Sequence, residues 1–339
     1  MKKMLGIWGA IVLGSILVLS ACGEKSQEDV VEKLQENLED MDGYKAKAEM
    51  AMNTGQEEQK FNIDIWHKKD NFYRVALENN QDEKGSQVIL KNEDGVFVLT
   101  PALNKSFKFQ TEWPDNSSQP YLYQSLVNDV LKDTEAEFEA TDSEYIFKTK
   151  TNYQSNNNLP FQEIHFDKKT FTPTLVKVLD KDRKALVEVK FSDFNTDPTF
   201  EKDDFTMEKN MASATIDTPV SGEPADQSSL TVFLPEYMAG AELTAKKEVD
   251  LESGKRVILT FTGEKNFTLV EETAEVLPTL SMPKEVNGDI VNLGSTVAAL
   301  SENKIEWSLD GVDFVLASDE LTREELIQVA QSVQGQEVK

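Results

Sequence analysis

Three successive stretches of the chain place an apolar residue at every second position, and this period of two leaves little choice of architecture. Tyr44, Ala46, Ala48, Met50 and Met52 alternate with Lys45, Lys47, Glu49 and Ala51. Phe61, Ile63 and Ile65 alternate with Asn62, Asp64 and Trp66, and Tyr73, Val75 and Leu77 with Phe72, Arg74 and Ala76. Successive side chains of a strand point to opposite faces of a sheet, so each stretch presents one mainly apolar face. Short polar loops separate them, which predicts an antiparallel meander and not a βαβ succession.

The meander extends further. Asp94-Gly95 is a hairpin-turn signal between Val88–Leu90 and Val96–Leu99. More strands are expected at Ser106–Gln110, Tyr145–Thr149, Phe161–Phe166, Leu175–Leu179 and Leu186–Phe191. Two helices accompany them. Ser26 with Asp29 fits a capping box, Val30, Val31, Leu34, Leu38 and Met41 share one face, and Gly43 is placed to end the helix. Tyr121 to Leu131 predicts a second, with Leu122, Leu126, Val127 and Val130 inward. Pro219, Gly222 and Pro224 among Ser and Thr read as a linker. Beyond it, strands are expected at Leu230–Phe233, Thr244–Val249, Val257–Thr262 and Phe267–Glu271, with a hairpin at Asp310-Gly311 and a helix capped by Thr322 and Glu325. The expected class is mainly β (α+β). A first domain spans residues 28–212, a linker 213–229, and a small α+β domain 230–339.

The first residues carry another pattern. Lys2 and Lys3 precede an uncharged apolar run, Met4 to Leu19, which Leu19-Ser20-Ala21-Cys22 closes. A membrane span needs about 20 apolar residues. This shorter run, followed by small residues, predicts a signal peptide over residues 1–21, cleaved between Ala21 and Cys22, with a short tether over 22–27. The tetrapeptide resembles the bacterial lipobox, which implies a diacylglyceryl group on the Cys22 sulfur and acylation, for example by palmitate, of the new N-terminus. Two or more acyl chains hold a protein stably, at roughly 0.8 kcal/mol per buried CH₂. Cys22 is the only cysteine, so no disulfide can form, and an anchor explains it better than a nucleophile or ligand. The expected location is the extracytoplasmic face of the cell membrane.

Composition narrows the partners. The formal net charge is −26, and loss of Lys2 and Lys3 makes it −28. Such a surface repels nucleic acid and anionic headgroups, so no nucleic-acid partner is expected. His67 and His165 are the two histidines, and no spaced ligand set for a metal accompanies them. No Gly-x-Ser-x-Gly elbow and no phosphate-binding Gly-rich loop occurs. Asp167 and Asp180 read as turn residues. No cofactor, metal or catalytic residue is expected, and the protein is not expected to be an enzyme.

The first domain resembles the LolA/RseB superfamily of exported lipid- and lipoprotein-related proteins. The resemblance runs through the amphipathic helix with Gly43-Tyr44-Lys45-Ala46-Lys47-Ala48, then Asp94 to Pro101 and Leu103-Asn104-Lys105. It returns at Phe166-Asp167, Thr172-Pro173, Asp180 and Val189 to Phe194. The C-terminal part resembles a small domain found at the ends of related lipoproteins and of some anti-sigma-type proteins of Gram-positive bacteria. The whole is most similar to sporulation and germination lipoproteins of endospore formers, of the YdcC and GerS kind. The resemblance implies an unclosed antiparallel half-barrel whose concave face is covered by helices and, in well-known members, holds acyl chains. A chain tethered through Cys22 cannot act as a freely diffusing carrier.

Phe61, Ile63, Ile65, Tyr73, Val75 and Leu77 are the residues expected to line that concavity, which is either hollow or filled by the covering helices. If hollow, its ligand is an acyl chain or an apolar peptide segment. The leading expectation is a non-catalytic binding or scaffold lipoprotein of envelope or spore development, holding a partner such as a cell-wall enzyme. The alternatives are a lipid- or lipoprotein-sensing regulator similar to RseB, acting on an anti-sigma-type protein, a lipid carrier, and a wall hydrolase built on paired carboxylates.

Overall fold

The computed structural model describes residues 25–53, 58–79, 86–153, 159–213, 232–251, 254–273, 282–293, 296–309 and 311–335. The chain opens with helix α1 (Gln27–Asp40). The capping box is formed: Ser26 Oγ accepts from the Asp29 amide at 3.2 Å, and Asp29 Oδ2 accepts from the Ser26 amide at 3.0 Å. Val30 and Leu34 are buried, with Val31, Leu38 and Met41 packed beside them. The helix leaves through Met41 in an extended conformation, so Gly43 is not its cap. Gly43 opens the next strand, where a Cβ would stand 2.5 Å from the His67 carbonyl oxygen. Close strand approach, not helix termination, is what requires glycine there.

Eleven strands follow: β1 (Gly43–Met52), β2 (Gln59–Lys68), β3 (Phe72–Asn79), β4 (Gln87–Asn92), β5 (Gly95–Thr100), β6 (Lys105–Phe109), β7 (Glu137–Ala140), β8 (Glu144–Lys150), β9 (Phe161–Asp167), β10 (Pro173–Leu179) and β11 (Ala185–Asn195). They form one antiparallel sheet in the order β6-β5-β4-β3-β2-β1-β11-β10-β9-β8-β7. The sheet is open, as expected of a half-barrel. Its concave face buries the inward residues of the alternating stretches, including Tyr44, Ile65, Val75, Phe147, Ile164 and Val189.

Helix α2 (Tyr123–Lys132) crosses this face with Leu122, Leu126, Val127 and Val130 buried. Its N-cap, Leu122, has no side chain able to accept a hydrogen bond, and the Tyr123 amide donates instead to Tyr44 Oη at 3.2 Å. The convex side is covered too. A short helix, α3 (Met207–Ser213), sits near the 3₁₀ turn Pro101–Leu103. Phe205 and Met211 pack with Ala76, Val88, Leu90, Phe97 and Leu99 in a second core layer. Neither β7 nor α3 was expected from the sequence.

The C-terminal part comprises β12 (Phe233–Pro235), β13 (Ala241–Leu251), β14 (Gly254–Gly263), β15 (Phe267–Thr273), β16 (Lys284–Val286), β17 (Asp289–Asn292), β18 (Val297–Leu300), β19 (Lys304–Leu309), β20 (Val312–Ala317), α4 (Arg323–Gln331) and β21 (Val333–Gly335). A seven-stranded sheet runs β13-β14-β15-β20-β19-β18-β17, and β12 pairs with β21. Leu326, Ile327, Val329 and Ala330 of α4 pack with Leu269, Leu300, Phe314 and Leu316 in a separate core.

The two sheets are tied together. β16 pairs in parallel with β6 and extends the first sheet. The Val297 amide donates to Gln87 Oε1 at 2.7 Å, and Lys105 bridges to Asp313 at 2.5 Å. Asp289 accepts from Asn116 Nδ2 at 2.9 Å and from Arg323 at 2.7 Å. Among the described residues no helix is long and apolar enough to cross a membrane. Ala21, Cys22 and residues 214–229 of the expected linker lie outside them.

Candidate functional site

Where the two sheets meet, the concave face stays open at one end. Met50 and Met52 end β1, Ile89 lies on β4, Val178 on β10 and Val187 on β11, all inward positions that period two makes apolar. The C-terminal part supplies the opposite wall through Glu236 and Tyr237, Ile290 and Val291 of β17, and Gln328, Gln331 and Ser332 at the end of α4. The groove between them encloses about 550 Å³, within the size range of small-ligand sites. Tyr237 stands at its edge, 41% exposed.

Part of the groove lining is polar. The segment Ser117–Tyr121 lines it, held by Gln119: the Tyr121 hydroxyl donates to Gln119 Oε1 at 3.0 Å, and Gln119 Nε2 donates to Ser117 Oγ at 3.1 Å. Tyr153 also lines the groove, and its hydroxyl is buried without a hydrogen-bond partner among the described residues. Burial and the neighbouring Asp129 hold its pKa well above 10, so it stays a neutral donor. Asp129 is itself pushed up by burial and accepts from Gln162 Nε2 at 2.7 Å.

The six residues expected to line a cavity lie elsewhere. Phe61, Ile63, Ile65, Tyr73, Val75 and Leu77 are no more than 4% exposed and belong to the packed core. Tyr73 stacks on His67 at 4.5 Å, meets Trp113 edge-on at 5.7 Å and hydrogen-bonds Gln124. The covering segments thus fill the middle of the concavity. Of the six, Phe61 borders a second, more polar depression of about 420 Å³ between the ends of β1, β2 and β11. The large groove was missed because its walls come from segments spread between Met50 and Ser332, none with a local signature.

The other candidates have structural roles. His67 Nδ1 lies 3.1 Å from the Phe72 carbonyl and so carries a proton, while burial lowers the ring's pKa. His165 sits between Glu144 at 3.0 Å and Glu163 at 2.8 Å. Glu201, Asp203 and Asp204 cluster, but Lys209 Nζ occupies their centre at 2.7, 3.0 and 2.7 Å. Asp167 Oδ1 accepts from the Lys169 and Thr170 amides, and Asp180 Oδ1 from those of Asp182 and Lys184, as turn residues do.

Comparison with known proteins places this architecture among relatives. A family model described as sporulation protein YdcC-like matches residues 1–205. Sporulation protein YdcC of Bacillus subtilis (strain 168) is 48% identical over 341 residues, covering 100% of both chains. Among solved structures, the Pseudomonas aeruginosa MucA/MucB complex is similar at a TM-score of 0.34 and 14% identity, over 91% of this chain and 99% of that one. The LolA superfamily protein NE2245 from Nitrosomonas europaea reaches a TM-score of 0.32 at 12% identity, over 55% of this chain and 100% of that one.

Proposed function

The chain belongs to the YdcC-like family of sporulation proteins, and on that footing we propose that it is a lipid-anchored extracytoplasmic lipoprotein that binds and does not catalyse. The body is held to the membrane through Cys22. The groove between the two sheets receives an apolar segment of an envelope partner, such as a cell-wall enzyme or an anti-sigma-type protein. The observation that carries this reading is the groove itself, whose apolar floor and opposing walls come from both halves of the chain. It is mostly apolar with a few convergent polar groups, the usual make-up of a binding site.

Two experiments test it. Cys22→Ala is expected to move the protein from the membrane to the soluble fraction, and unchanged fractionation contradicts the anchor. A photo-crosslinker at Tyr237, in sporulating cells, is expected to capture one envelope protein, and Leu186→Asp, at a groove-lining residue of β11, is expected to abolish that product. A product indifferent to Leu186→Asp places the contact outside the groove.

A second reading, a lipid- or lipoprotein-sensing regulator, draws on the apolar floor of the groove, which suits an acyl chain. Native mass spectrometry separates the two. Co-purified acyl species favour sensing, and an empty groove favours a protein partner.

A further inference from the structure

Glu271 occupies a core position of β15. It shares its face with Phe267 and Leu269 and is flanked by Val257 of β14 and Phe314 of β20. It is 0% exposed. Among the described residues, both carboxylate oxygens accept from one donor, the Phe233 amide that opens β12, at 3.2 and 3.0 Å. A buried carboxylate with a single amide partner is poorly compensated. No sheet register or turn requires an acid here.

The contact reaches the groove in a few residues. β12 pairs with β21, and the pairing continues as the Glu236 amide donates to the Ser332 carbonyl at 3.0 Å and the Tyr237 amide to Ser332 Oγ at 3.0 Å. Glu236, Tyr237 and Ser332 are groove wall.

We propose that Glu271 is a proton-operated latch that fixes β12 and, through it, one wall of the groove between the sheets. Its consequence for binding rests on reading the groove as the functional site, whereas the latch itself does not. Protonated, Glu271 is a neutral core residue that still accepts from Phe233, and the wall is closed. Ionised, it gains by reaching water, which requires β12 to part from β15.

The surroundings offer little to hold the charge. β14 and β20 present Val257 and Phe314, and the buried residues of α4 are apolar. Among the described residues, the charged group that bears on the carboxylate is Lys246 of β13, itself exposed and paired with Glu248 at 2.9 Å. Burial accordingly pushes the Glu271 pKa up to about 7 from the ordinary 4.5. An acid raised in the closed state favours closure fully below its open-state pKa. That preference is lost as pH rises through the closed-state value.

The test is amide hydrogen exchange at residues 233–237 in the full mature chain, corrected for intrinsic rates. With open- and closed-state values of 4.5 and about 7, opening is expected to rise about thirtyfold between pH 5.5 and 8.5. In Glu271→Gln the amide oxygen still accepts from Phe233, and the rise is expected to vanish. Exchange in the wild type that does not change with pH, or the same rise in Glu271→Gln, overturns the latch. Carbon-13 titration of the Glu271 carboxyl needs no variant. A midpoint near 7 supports the latch, and one in the ordinary carboxylate range overturns it. Binding of N-phenyl-1-naphthylamine is read in parallel. A thirtyfold exchange change with no probe binding at any pH upholds the latch and counts against the groove as the functional site.

Discussion

Single residues in this molecule do work that their positions in the sequence disguise. Gly43 looks like a helix terminator, yet its role is the approach of β1 to β2, where a Cβ would lie 2.5 Å from a backbone oxygen. Gly43→Ala is expected to lower stability by about 1–3 kcal/mol, measurable by urea denaturation, although the same change at a solvated helix end is nearly neutral. Tyr44 looks like one more inward strand residue, yet its hydroxyl caps α2 across a separation of 79 residues. Tyr44→Phe keeps the ring packing and removes the acceptor, so a loss of about 1–2 kcal/mol is expected, with faster exchange of the Tyr123 amide as its signature. Retention of full stability in Tyr44→Phe shows that water serves as the cap. Such cross-chain contacts leave no trace in local pattern, whereas the Ser26–Asp29 box, closed within four residues, was readable directly.

At the scale of elements, legibility follows burial. Strands β1, β2 and β3 alternate because covering segments seal only one face along most of their length. Strands β4 and β5 read as continuous apolar runs because both faces are covered, the convex one by Phe205 and Met211. That cover was not foreseen. Helix α3 has seven residues and brings few apolar side chains, too short a stretch for a period to declare itself. Strand β7, four residues at the sheet edge, alternates two exposed glutamates with Phe138 and Ala140, which pack on the core, but two apolar positions are too short a run to declare a period. β16 gains its partner only through tertiary contact with β6. Met211→Asp is expected to cost about 2–4 kcal/mol and to expose Leu90 and Leu99. A rise in dye binding and a lowered urea midpoint check this, and an unchanged midpoint shows that α3 adds nothing to the core.

At the scale of the whole molecule, the mainly β class and the antiparallel meander followed from period two and the openness of the sheet from the family resemblance, whereas the groove followed from neither. Its lining runs from Met50 to Ser332 and exists only because the seven-stranded sheet is fixed against the half-barrel. Asp289 is central to that junction, accepting from Asn116 on one side and Arg323 on the other. Asp289→Ala is expected to leave each core intact while raising protease sensitivity near the junction, with a stability loss of about 1–2 kcal/mol. Unchanged digestion shows that β16 and the apolar contacts suffice. If the junction groove is a binding site, it takes up a small apolar probe, and titration of the purified protein with N-phenyl-1-naphthylamine reads this. Saturable binding at one site is expected, abolished by Tyr237→Asp at the exposed edge with the thermal melt unchanged. Absence of saturable binding, or binding that Tyr237→Asp leaves intact, contradicts the account.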